Sequence, residues 1–112
     1  MFDQIPESDW KKFKNLRPLA LKRYCDRVLN DVNNIIGDNE KSSHERYLKI
    51  YKLMRNRDKN LAQMFDGFAR SKAKLQLMMF YGEDLISDDE VDQFSKETRN
   101  SIYRIKKDFD DE

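Results

Sequence analysis

Residues 42–82 read SSHERYLKIYKLMRNRDKNLAQMFDGFARSKAKLQLMMFYG, and the fold turns on whether they make one helix or two. Ser42 suits an N-cap, because its hydroxyl can accept from the backbone N–H groups of a first turn. Glu45, three residues on, completes a capping box. At the far end Gly82 suits the left-handed conformation that closes a helix. Between them Tyr47, Met54, Leu61, Phe68 and Leu75 fall seven apart. Tyr51, Phe65 and Met79 form a neighbouring row, and Ile50, Met64 and Met78 a third. Such rows predict one buried helix face. Asp66-Gly67 would serve as a turn, yet Leu61, Met64 and Phe65 recur in register as Leu75, Met78 and Met79. A break would usually reset that register. The reading is therefore one long helix over about 43–81, with a glycine cost of about 1 kcal/mol. Two helices, hinged near 57 or 67, are the alternative.

Length makes this helix a problem for the rest of the chain. At about 1.5 Å per residue it spans roughly 60 Å, whereas a compact domain of this size is about 30 Å across. Its second half is apolar nearly all round, from Leu75 through Leu77, Met78, Met79 and Phe80 to Tyr81. A second copy, or another protein partner, is the expected cover. The expected partner or dimer face is Leu61, Met64, Phe65, Phe68, Leu75, Met78, Met79, Phe80 and Tyr81. The stripe is interrupted by Arg57 and Asp58, then by Ser71 and Lys72. Arg57 and Asp58 read as solvent-grazing or paired with a neighbouring helix, and alternatively as a polar layer.

The flanking segments read as shorter helices. Pro6 and the absence of a packing pattern leave residues 1–7 frayed. Ser8 suits the cap of a short helix over 9–16, with Trp10, Phe13 and Leu16 on one face. Pro18 cannot donate a backbone hydrogen bond and restricts Arg17, so a new helix is expected over 18–36, closed by Gly37. Leu21, Cys25, Val28, Val32 and Ile35 form its seam, widened by Leu29 and Ile36, and Cys25 reads as a small buried hydrophobe. The short link 37–41 predicts an antiparallel hairpin with the first half of the long helix. After Gly82, Ser87 and Glu90 make a capping box, and Ile86 and Val91 a hydrophobic staple. A last helix is expected over about 96–109, with Ile102, Ile105 and Phe109 inward and 110–112 solvated.

Composition agrees with an all-α bundle in a single domain. The chain has 112 residues, 38% of them charged, with 3 glycines and 2 prolines, too few for the turns of an all-β fold. No apolar run is long enough for a membrane span. The N-terminus shows no signal-peptide pattern, and the lone Cys25 suits a reducing cytoplasm. Net charge is +1, but residues 41–74 carry ten basic and three acidic side chains, and 75–112 carry five and eleven. The acidic end is expected to fold back on the basic middle.

No catalytic, cofactor or metal set can be assembled. His44 and Cys25 lie in separate elements, short of a zinc pattern. The acidic run from Glu83 to Asp92 does not match a calcium loop. Arg46, Lys49, Lys52, Arg55 and Lys59 form a basic stripe that would serve a polyanion. The function expected is a non-enzymatic, self-associating interaction module, cytoplasmic and without cofactor, with nucleic-acid or polyanion binding as the alternative.

Overall fold

The computed structural model describes residues 4–110, with side chains as far as Ile105. Five helices and no strands occur among the described residues: α1 Glu7–Ile36, α2 Ser43–Phe65, α3 Arg70–Gly82, α4 Asp88–Val91 and α5 Lys96–Asp110. The chain is an all-α helical bundle. Expectations for 1–3 and 111–112, and for the inward side of Phe109, lie outside the described residues.

The long helix is broken. Asp66 ends α2 in an extended conformation (φ −66°, ψ 131°), Gly67 follows at φ +82°, and α3 starts after an extended Ala69. Only glycine reaches that φ without a Cβ penalty. Gln76, itself buried, donates from Nε2 to the carbonyls of Asp66 at 3.1 Å and Gly67 at 2.9 Å. Those acceptors would otherwise be orphaned at the end of α2. The apolar register survives across four non-helical residues, so its continuity does not report helix continuity.

α1 departs from expectation in the opposite sense. It runs as one helix through Pro18, starting behind Pro6, with Ser8 inside and not capping it. A proline inside a helix costs about 3 kcal/mol. Phe13 and Leu16 before it and Ala20, Tyr24 and Val28 after it are buried in the same core, and fully burying such side chains contributes about 1.5–3 kcal/mol each. Tertiary packing therefore outweighs the proline. Nor is the segment ahead of α1 frayed throughout: Ile5 is buried and its carbonyl accepts from Arg70 Nε at 2.8 Å.

α2 returns antiparallel to α1, as expected for a hairpin. Arg46 donates to the Ile36 carbonyl at 2.7 Å, Tyr24 to the Arg57 carbonyl at 2.9 Å, and Arg17 to the Phe65 carbonyl at 2.5 Å. α3 then packs against α5 and α1. The core holds an aromatic stack in which Phe13 and Phe80 lie 6.3 Å apart at 1°, and Phe65 and Phe80 4.8 Å apart. Trp10 stacks on Phe13 at 5.5 Å and on Phe68 at 5.1 Å.

α3 closes without a glycine in the left-handed position. Leu85 N–H bonds the Phe80 carbonyl at 2.8 Å and Asp84 N–H the Tyr81 carbonyl at 3.1 Å. This is a Schellman closure, with Asp84 at φ +57° in the position assigned to Gly82. α4 carries the expected Ser87–Glu90 capping box, and Ile86 and Val91 are both buried. Glu90 also takes both guanidinium nitrogens of Arg23, at 2.8 and 2.9 Å. Tyr81 and Tyr103 meet edge to face at 5.4 Å. Burial and the hydrogen bond to Asp88 push the Tyr81 phenol up to about 12.

Candidate functional site

The expected partner face is largely consumed by the chain's own folding. Met64, Phe65, Phe80 and Tyr81 are buried, and Leu61, Met78 and Met79 pack partly buried against the core. Phe68 and Leu75 stay exposed, with the Phe68 ring against Trp10 and under the Arg17 guanidinium at 5.3 Å. The ground for placing a dimer contact there, a protruding rod end too oily for one chain to cover, is gone. The break at 66–69 turns α3 back between α1 and α5.

Besides Phe68 and Leu75, apolar surface is left uncovered on the hairpin. The buried residues of α2 are Met64 and Phe65, both in its last turn, and those of α1 end at Val28. The rest of the hairpin is a two-helix arm. It accounts for the elongated shape, 52 × 31 × 26 Å, and for a radius of gyration of 16.8 Å, where about 13 Å is usual for this length.

Helical spacing shows which side of the arm is open. α2 meets α1 through Ile50, Leu53, Arg57 and Leu61, all partly buried. Tyr47 and Met54 of the heptad row and Tyr51 of the neighbouring row, expected on a buried face, are instead its exposed flank: Tyr47 is 67% exposed, Tyr51 58% and Met54 45%. On α1, Leu29 at 59% and Ile36 at 51% point the same way, and Cys25, expected in the seam, is exposed beside them. A groove of about 290 Å³ runs between the flanks, lined by Cys25, Val28, Leu29, Met54, Asp58 and Leu61. The spacings 25, 29, 32, 36 and 47, 51, 54, 58, 61 continue this face along both helices.

The sequence contained a signal for this surface. α1 carries more apolar positions than one partner helix can cover, and Leu29 and Ile36 are the surplus. Of the polar pair, Arg57 bonds Asp31 across the hairpin at 3.0 Å, while Asp58 is exposed at the groove. They form no sealed polar layer.

The basic stripe divides. Arg46 turns in to the Ile36 carbonyl, whereas Lys49, Lys52, Arg55 and Lys59 are exposed. Among the described residues, no acidic side chain of the last third pairs with them. Its described contacts run to α1: Glu90 to Arg23, the Glu83 carbonyl to Arg27 at 2.9 Å, and the Gln93 carbonyl to Lys12. No group of three or more His, Cys, Asp or Glu is placed to hold a metal among the described residues. No described helix is long and apolar enough to cross a membrane.

These features define the class as an all-α bundle with a projecting helical hairpin. No protein family, curated protein or solved structure matches the chain.

Proposed function

We propose that the protein is a non-enzymatic helical interaction module that self-associates through the open face of its α1–α2 arm. The observation that carries this reading is the uncovered apolar flank. Leu29, Ile36, Tyr47, Tyr51 and Met54 together expose about 600 Å² per copy, taking roughly 200 Å² for each such side chain. That is at the upper end of the patch size normal for a monomer, about 300–600 Å². With the half-buried Val32 and Leu61 of the same face it comes closer to the roughly 800 Å² per partner of a standard interface.

A second copy fits for a geometric reason. A layer of two helices, apolar on one side, is completed by another layer of the same width. Two such hairpins on a two-fold axis make a four-helix packing in which each patch covers its own equivalent. Acidic groups suited to chemistry already have structural tasks: Asp9 at α5, Glu90 on Arg23, Asp88 and Asp92 on Tyr81 and Tyr103.

Sedimentation equilibrium across the micromolar range tests the reading. The expected species is twice the 13.5 kDa chain, and Leu29→Glu with Tyr51→Glu, both at exposed positions, should return it to one copy with its thermal unfolding unchanged. A wild-type chain that stays monomeric at several hundred micromolar refutes self-association. A dimer indifferent to both substitutions refutes this face.

A further inference from the structure

We infer that the outer row of α2 binds nucleic acid through backbone phosphates, without reading sequence. This goes beyond self-association and does not depend on it. The row is Lys49, Lys52, Arg55 and Lys59, spaced three, three and four apart, so all lie along one side of the helix. That side is opposite Ile50, Leu53 and Arg57, which meet α1. It also lies apart from the open flank of Tyr47 and Met54, so a dimer formed there would leave the row free.

All four side chains are exposed, and none forms an ion pair among the described residues. Like charges three and four apart on a helix repel one another. Among the described residues, the one ion pair made by the acidic third goes to Arg23 of α1 and not to this row. An anionic ligand would relieve the repulsion.

Length and chemistry indicate its kind. From Lys49 to Lys59 the row is about 15 Å long, which matches the axial length of four to five phosphates of one strand. An acidic protein surface gains little from exposed ion pairs. A phosphate polymer releases condensed counterions for each charge neutralised, so a row of exposed cations with no cavity is most effective against it. On an anionic membrane each cation contributes about 1 kcal/mol, and firm attachment adds apolar side chains that insert beside the cations. Around this row stand Asn56, Asn60 and Gln63, with Leu48 as the one large apolar residue and Glu45, held at the Ser42 cap, as the one acid one turn before Lys49.

The test is fluorescence anisotropy of the full chain with a labelled 20-base-pair duplex and a 20-nucleotide single strand, titrated at rising salt. For four phosphate contacts the log–log slope should be about −3.6 for the duplex and about −2.8 for the single strand. Lys52→Gln with Arg55→Gln should halve both slopes and, by the same relation, weaken binding about 50- to 200-fold at 50 mM salt. Unchanged circular dichroism melting will verify that this variant is folded. The Leu29→Glu chain, whose new carboxylate lies on α1 away from the row, should keep its salt slope per copy, which separates phosphate binding from self-association. Absence of binding at 50 mM salt, or an unchanged slope in the double-glutamine variant, would overturn it. So would binding to phosphatidylserine vesicles that the oligonucleotides fail to compete away.

Discussion

Asp9 joins the first helix to the last, and replacing it is expected to cost about 3 kcal/mol. Its side chain is 1% exposed. Oδ1 accepts from the Ser95 backbone N–H at 2.9 Å, and Oδ2 accepts from the Ser95 and Thr98 hydroxyls at 2.6 and 2.7 Å. A residue 86 positions away in sequence thus takes the place of the N3 carboxylate of a capping box, accepting from the N–H of Ser95, the residue before α5. Asp9→Ala leaves three donors without an acceptor. A buried unsatisfied donor costs about 1–3 kcal/mol. The full sum is not expected, because Ser95 Oγ and Thr98 Oγ1 lie 3.2 Å apart and can turn to each other. The amide has no such recourse, which brings the loss to about 3 kcal/mol. Asp9→Asn keeps one acceptor and turns an NH2 toward hydroxyls that can rotate to receive it, so about 1–2 kcal/mol is expected.

The same site sets a pH dependence. Burial pushes the Asp9 carboxyl up, but hydrogen bonds from the Ser95 and Thr98 hydroxyls and the Ser95 amide, with Lys12 nearby, outweigh it. The folded value therefore lies below the ordinary 3.8. A depressed carboxylate contributes stability that is complete above its unfolded pKa and is lost as pH falls through the folded value. Urea unfolding of wild type, Asp9→Asn and Asp9→Ala near neutral pH, then toward about pH 3 and below, reads both effects. The gap between wild type and Asp9→Asn should narrow on acidification. An alanine variant within about 0.5 kcal/mol of wild type, or a gap that widens in acid, would refute the reasoning.

Three further substitutions probe the backbone. Pro18 is exposed inside α1 and withholds an N–H from the Lys14 carbonyl, so Pro18→Ala should stabilise by roughly 1–3 kcal/mol, read as a higher urea midpoint. Gly67→Ala places a Cβ at φ +82° and 2.5 Å from Lys72 Nζ; the lysine can swing away, but the backbone strain remains and should destabilise by about 1–2 kcal/mol. Asp84 holds the left-handed position that closes α3, so Asp84→Gly should raise the melting temperature, with a gain of about 0.5–1 kcal/mol.

Signals confined to one turn of chain proved legible. Ser87 and Glu90 form the expected capping box, Ser42 accepts from the Glu45 amide at 3.1 Å, and the short link after Gly37 produces the antiparallel hairpin. These features depend on groups within a few residues of each other, so the chain beyond them has little say. The errors sit where a distant element decides. Pro18 lies inside a helix because residues on both sides of it pack into one core. Asp9 is a first-turn acid of its own helix, and nothing local reveals that it holds the start of α5.

The break at Gly67 shows why periodicity has a limit. Spacing says which residues share a face, but which face is covered depends on where the next element goes. With α2 and α3 continuous, the row of Tyr47, Met54, Leu61, Phe68 and Leu75 would be one stripe awaiting a partner along its whole length. The turn at 66–69 carries Ala73, Leu77 and Phe80 into the core and separates Phe68 and Leu75 from the arm. It also withdraws α3 from the arm, so that α1 there has α2 alone for company. A helix with two apolar flanks and one neighbour must leave a flank open. The exposed Leu29, Ile36, Tyr47 and Tyr51 are therefore a consequence of the same turn that completed the core.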